Sequence, residues 1–199
     1  RSVDEIHAMF DEFFKVYDHI DLMVNNAGIT RFQPFLEATP EMFDTVIGTD
    51  LRGTYFCAQA AARSMVEKGV KGVIINISSN HALGCWPNAS FYAAAKAGLD
   101  KAGKNMAMVL APYGIRVVTI APGYTQLPER NWFPTPEALK RRDELFSRIP
   151  GGRFAQPWEI GDAVVFLASD SAGYITGTTL NIDGGSLLPV LAENTFIKQ

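Results

Sequence analysis

The sequence predicts an α/β protein built on a doubly wound parallel sheet with helices on both faces. Three observations predict it. Short apolar, β-branched runs, Val73 to Ile77 and Ile115 to Ile120 above all, lack polar alternation, as strands covered on both faces do. Stretches with a helical period of apolar residues lie between such runs and supply the crossovers that parallel strands need. The runs end in small and polar residues, Ser78-Ser79 after the first and Ala121-Pro122-Gly123 after the second.

Each element follows from local sequence. Arg1 to Tyr17 sets Val3, Ile6, Met9, Phe10, Phe13 and Phe14 at helical spacing, with Ser2 as the cap. Asp21 to Val24 is a short strand ending in the turn Asn25-Asn26-Ala27-Gly28. Thr39-Pro40-Glu41 opens a helix, threonine as cap and proline in the first position. A break is expected near Gly48. Leu51 to Glu67 then forms a long helix rich in small residues (Ala58, Ala60, Ala61, Ala62), ended by Gly69 to Gly72. After the central strand Val73 to Ile77, a loop leads to an alanine-rich helix carrying Tyr92 and Lys96, and the strand Ile115 to Ile120 follows.

Leu127 to Gly152 is polar and proline-punctuated, carries Trp132 and Phe133, and continues into a helix capped at Thr135-Pro136. Such a segment is expected to act as a substrate lid. Trp86 and Cys85 are expected to face the same pocket, with core packing the alternative for Trp86. Pro157 opens the next helix, whose Ile160, Ala163, Val164 and Leu167 form an apolar stripe. Thr178 to Ile182 is the last strand, Asp183-Gly184-Gly185 its exit turn, and the tail Leu187 to Gln199 is mixed in character. No repeat, linker or second domain interrupts residues 1–199, so one domain is expected.

With 47% hydrophobic residues, 20% charged and a formal net charge of −3, the composition is that of a soluble globular chain. Basic residues are dispersed apart from Lys140-Arg141-Arg142 on a helix face, so neither nucleic acid nor membrane is an expected partner. No apolar run is long enough to span a bilayer, and Arg1 to Phe14 is amphipathic rather than a secretory signal. Cys57 and Cys85 have neither disulfide-framework nor metal-ligand spacing, which points to a reducing cytoplasm. His7, His19 and His81 form no metal cluster. His81, close to Ser79, is read first as a loop histidine with a local hydrogen bond, and second as a substrate contact.

The chemistry comes from spacing. Tyr92 and Lys96 stand four apart with no breaker between them, so on a helix their side chains share a face, about 5–6 Å apart at Cβ. A cation beside a phenol favours the phenolate, which makes the pair a candidate acid/base, with a plain pair on a helix surface as the alternative for the spacing taken alone. Ser79, at the carboxyl end of the preceding strand, can donate a hydrogen bond to an oxygen held against the same phenol. The three together suit protonating a carbonyl or deprotonating an alcohol.

In this order, Asn25-Asn26-Ala27-Gly28, Ser79, Tyr92-x-x-x-Lys96, Pro122-Gly123 and Asp183-Gly184-Gly185 resemble the motifs of the short-chain dehydrogenase/reductase family, and the likeness covers essentially the whole chain. The resemblance implies a Rossmann-like fold and an NAD(P)-dependent oxidoreductase that interconverts a secondary alcohol (sugar, polyol or 3-hydroxyacyl type) and a ketone. By the same resemblance Tyr92 is the acid/base, Lys96 assists it and binds the nicotinamide ribose, and Ser79 polarises the carbonyl. Asn26, Ala27, Gly28, Pro122, Gly123 and Thr125 would line NAD or NADP. In the family, surplus apolar surface on the two long helices forms a dimer contact, so the resemblance implies a homodimer or homotetramer; close packing within one subunit is the alternative reading of their small residues.

The chain departs from the family pattern at three points. Asp50 stands where the family has the asparagine of its proton relay. It keeps the acceptor, loses the amide donor and adds a negative charge near Lys96. Leu127 occupies the position of a cofactor-contacting threonine; either Thr125, two residues earlier, substitutes for it or the contact is missing. The phosphate-gripping glycine turn does not occur, as though roughly sixty to seventy residues of the family's pattern, its first three strands among them, were missing ahead of Arg1. Weak or no dinucleotide binding is therefore expected of this chain alone. A non-catalytic oligomeric binding or scaffold protein that keeps the fold is the alternative function.

Overall fold

A computed structural model describes residues 1–127 and 133–188. In chain order the elements are α1 (Val3–Phe14), β1 (Leu22–Asn25), α2 (Pro40–Val46), α3 (Thr54–Lys68), β2 (Val73–Ile77), α4 (Ser90–Leu110), β3 (Arg116–Pro122), α5 (Pro136–Ser147), α6 (Pro157–Ala168) and β4 (Thr179–Ile182). The caps fall where the sequence puts them. The hydroxyls of Ser2, Thr39 and Thr135 accept from the amides of Glu5, Met42 and Ala138, satisfying donors that the first turn leaves free.

The strands pair in parallel in the order β1-β2-β3-β4. Period-2 alternation splits their apolar residues between two layers. Ile74 and Val117 pack on Ile6 and Phe10 of α1, Ala58, Ala61 and Met65 of α3 and Ala107 of α4. Val73, Ile75, Val118 and Ile120 turn to the opposite face, against Leu167 and the apolar stripe of α6. β2 and β3 are therefore covered on both sides, which explains the apolar runs Val73 to Ile75 and Val117 to Val118, while Leu22 and Val24 of β1 and Leu180 of β4 are exposed. β3 extends past Ile120 through Pro122, because Ala121 and Pro122 find register partners in Asn181 and Ile182 of β4.

The expected break near Gly48 does not occur. A π-helical turn, Ile47–Gly53, carries the chain from α2 into α3 without interruption, and places Asp50 fully inside. Its wider i→i+5 bonding keeps Gly48 helical.

One buried acid ties α4 to the last strand. Asp100, 7% exposed, accepts a hydrogen bond from Thr179 Oγ1 at 3.3 Å through Oδ2, while its Oδ1 lacks a partner among the described residues. Burial raises the pKa of this carboxyl above its ordinary value, the Ser78 and Thr179 hydroxyls opposing in part. A raised carboxyl pKa stabilises the fold in acid, and that stability is lost as pH rises through the folded-state value. Asp100→Asn is accordingly expected to gain about 1 kcal/mol at neutral and alkaline pH and nothing in acid. Urea midpoints that differ from the parent's by the same amount at every pH would contradict this.

Candidate active site

The amino-terminal turns of α4 carry the site. Phe91, Tyr92 and Ala95 bury against Val46 of α2, with Ile47 and Leu51 of the π turn beside them. Three consecutive alanines, Ala93 to Ala95, offer no bulk to hold the helix off its neighbours. Tyr92 and Lys96 are therefore buried on one face, 9% and 4% exposed. The Lys96 ammonium lies 5.6 Å from the centroid of the Tyr92 ring.

Burying an ammonium is costly unless partners replace its water. Lys96 Nζ donates to the Ile77 carbonyl at 3.1 Å and faces Asp50 Oδ2 at 3.3 Å. The other oxygen of Asp50 accepts from the Ile29 amide at 2.8 Å, so the same carboxylate anchors the turn that leaves β1. A methyl group at Gly28 would lie 3.2 Å from Asp50 Oδ2 and 3.3 Å from Lys96 Nζ. Glycine at this position lets the turn rest on the ion pair. Asn26 and Ala27 are exposed in that turn, and Asn25 Nδ2 donates to Asn76 Oδ1 across the β1/β2 pair at 2.9 Å.

The two serines after β2 divide their tasks. Ser78 Oγ donates to the Lys96 carbonyl at 3.2 Å and joins the strand to α4. Ser79 Oγ accepts from the His81 amide at 3.2 Å, lies 3.3 Å from Asn80 Oδ1, and lines a cavity of about 360 Å³. Tyr92, His81, Gly123, Thr125 and Leu127 line the same space. Thr125 and Leu127 thus both reach it, and Thr125 Oγ1 donates to the Gly123 carbonyl at 3.3 Å. Gly123 sits where the exits of β3 and β4 touch: an added Cβ would meet Asp183 Cα at 2.8 Å. Asp183 in turn holds its own turn closed, accepting from the Gly185 and Leu187 amides and the Ser186 hydroxyl.

His81 differs from its first reading. The local hydrogen bond to Ser79 is made by its backbone, and Nδ1 of the ring is buried without a partner among the described residues. The ring stacks on Trp86 with centroids 4.2 Å apart and stands edge-on to Tyr92 at 5.3 Å. Burial lowers the imidazole pKa, which keeps the ring neutral at pH 7. Trp86 meets the site through His81, whereas Cys85 is exposed and outside the cavity lining. The aromatic stack escaped sequence reasoning because contacts inside an irregular loop have no periodicity. Proximity to Ser79 was the only signal.

Tyr124 and Phe154, stacked at 5.1 Å, separate this cavity from a second of about 580 Å³ under α5, where Phe133 and Arg141 lie. Phe133, from the segment expected to act as a lid, lines this second cavity and not the one that holds Ser79 and Tyr92. Trp132 is outside the described residues. Among those residues no group of three or more His, Cys, Asp or Glu side chains is disposed to hold a metal.

The residues present fit the nicotinamide half of a dinucleotide. An ammonium has three donors, of which Lys96 gives one to Ile77 and turns another side toward Asp50, and the bare backbone at Gly28 and Gly123 lies against Lys96 and Asp183 respectively.

Comparison with known proteins agrees with this geometry. Residues 1–186 match the family described as enoyl-(acyl carrier protein) reductase. The chain is 41% identical over 171 residues to the L-rhamnose 1-dehydrogenase (NAD(P)(+)) of Azotobacter vinelandii, covering 86% of this chain and 66% of that protein. It is 37% identical over 185 residues to the 3-oxoacyl-[acyl-carrier-protein] reductase of Thermotoga maritima, covering 93% and 73%. Among solved structures, a gluconate 5-dehydrogenase from Burkholderia cenocepacia in complex with NADP and tartrate superposes with a TM-score of 0.87 at 35% identity, covering 95% of this chain and 73% of that one. The chain belongs to the short-chain dehydrogenase/reductase family, a class of NAD(P)-dependent oxidoreductases. It spans 66% to 73% of the length of these three relatives. All three are named as enzymes, so the scaffold alternative gains no support from them.

Proposed function

We propose that the full-length protein interconverts a secondary alcohol and a ketone of the sugar, polyol or 3-oxoacyl type with NAD or NADP, and that Ser79, Tyr92 and Lys96 manage the proton. The observation that carries this reading is the ammonium of Lys96, buried one helical turn from a phenol that shares a cavity with Ser79. A buried lysine is expensive to keep, and its position beside Tyr92 gives the expense a use.

Ser79 would donate to the substrate oxygen. Tyr92 would give that oxygen a proton during reduction and remove it during oxidation, and the Lys96 charge would favour the phenolate between the two. Asn26, Ala27, Gly28, Pro122, Gly123 and Thr125, with Lys96, would hold the dinucleotide, whose nicotinamide supplies or accepts the hydride. Asp50 would stand in the relay position. His81 and the Tyr124/Phe154 pair would shape the substrate pocket. Rhamnose, xylitol, gluconate and a 3-hydroxyacyl thioester, each with both nucleotides, form the test panel. Turnover of at least one is expected, and none on any combination would overturn the reading.

Residues 1–199 are read as parts of one Rossmann-like domain. A homodimer or homotetramer is supported by α3 and α4, which leave Tyr55, Met108 and Val109 exposed at 42%, 70% and 62% beside an apolar groove. Light scattering should give a multiple of the subunit mass that Val109→Glu reduces; a monomeric parent would refute it. Cys57 and Cys85 are free, which supports a reducing compartment such as the cytoplasm, and thiol labelling in intact cells checks it. No helix among the described residues is long and apolar enough to cross a membrane.

A further inference from the structure

The proton chemistry above gives Asp50 a position but assigns no effect to its charge. Asp50 is fully buried, and its Oδ2 faces Lys96 Nζ at 3.3 Å with no hydrogen bond from any described group. Its Oδ1 is occupied by the Ile29 amide. Where an amide would offer Lys96 a neutral neighbour, this chain offers a carboxylate with no exposed surface.

The charges around Lys96 come from few elements. The π turn contributes Asp50, while Arg52, its other charged residue, is exposed. α4 contributes Tyr92 one turn before and Asp100 one turn after, the latter held by Thr179. The loop after β2 brings His81, on the far side of Tyr92 and neutral at pH 7. β2 offers the Ile77 carbonyl and the β1 exit offers uncharged Gly28. Asp50 is the carboxylate in contact with the ammonium.

We infer that Asp50 is the counter-ion of Lys96, a positioning residue that absorbs part of the ammonium's field and so raises the pH at which the Tyr92 hydroxyl gives up its proton. A cation lowers the energy of a nearby phenolate, and a carboxylate paired with that cation cancels part of the effect. The protonated phenol is thereby favoured over the state it would take beside an unpaired cation. The protonated form can donate to a ketone, whereas alcohol oxidation needs the deprotonated form. Alcohol oxidation is accordingly expected to need a higher pH in this chain than it would with an uncharged residue at position 50, and carbonyl reduction is not. The inference rests on the function proposed above and adds to it a pH dependence for each direction.

Asp50→Asn is the test, because the amide has the same shape and keeps the acceptor that Ile29 uses. In the full-length protein with its nucleotide, the pH profile of alcohol oxidation should move down by about one unit, about tenfold in rate on the rising limb. An ultraviolet titration of tyrosinate, with Tyr92→Phe subtracting the other tyrosines, should move by the same amount and needs no turnover. Should Asp50→Asn fail to fold, Asp50→Ser keeps a hydroxyl acceptor, removes the charge and is read in the same two ways. Superimposable titrations of variant and parent would overturn the inference. A panel without turnover beside a shifted tyrosinate titration would instead overturn the proposed function and leave the counter-ion standing.

Discussion

The full-length Tyr92→Phe protein is expected to fold as the parent does and to lose turnover by about 10²- to 10⁴-fold, the range over which a positioned acid/base contributes. The ring is what the fold uses. It packs with Val46, Phe91 and Ala95 and takes the edge of His81, and phenylalanine reproduces each of these contacts. The hydroxyl is what the reaction uses, and no neighbour can replace it. Ser79 has an alcohol with no base beside it, its oxygen being occupied by the His81 amide and Asn80. Burial lowers the pKa of His81, so its ring is a poor proton donor to a ketone at pH 7. Lys96 keeps its place, so KM for the nucleotide should change far less than kcat. The urea midpoint should stay within about 0.5 kcal/mol of the parent's, as for a substitution that preserves packing. Parent-like kcat in this variant would show that Tyr92 is not the acid/base.

Much of this was legible before the structure, and the reason is periodicity. Val73 to Ile75 and Val117 to Val118 are apolar on consecutive residues because helices cover both faces of β2 and β3, so these strands stand out as runs. Tyr92 and Lys96 are legible because a helix makes a spacing of four residues into a contact. Ser2, Thr39 and Thr135 announce their helices because a hydroxyl at the first turn meets a free amide wherever it occurs. What was not legible lacks such a rule. Nothing in Ile47–Gly53 encodes an i→i+5 turn, and Gly48 reads as a breaker until the wider turn is seen to accommodate it. The burial of Asp50 follows from that turn, so the contact between its carboxylate and Lys96 was visible only as an unfavourable substitution near a lysine. The stack of His81 on Trp86 depends on the path of a loop, which composition does not determine.

The ion pair also yields the largest expected effect on stability. Lys96→Met removes the cation and leaves Asp50 buried with only the Ile29 amide on its other oxygen. Breaking a buried pair by removing one partner costs about 3–5 kcal/mol, mostly through the unpaired charge that remains. The penalty has a sign in pH. An uncompensated buried carboxylate titrates at a raised pKa, so it is neutral and tolerated in acid, and the stability is lost as pH rises. The double variant Asp50→Asn/Lys96→Met removes both charges and should regain most of the lost stability at neutral pH. It should regain none of the turnover, since the phenol still lacks its cation. Urea unfolding of the parent, the two single variants and the double variant at acid and neutral pH measures this, with a non-zero coupling between the two positions as the expected result. Additive losses, or a Lys96→Met protein as stable as the parent at neutral pH, would show that Asp50 and Lys96 do not act as a pair. A double variant that recovered turnover would show instead that Lys96 contributes to the reaction only by compensating Asp50.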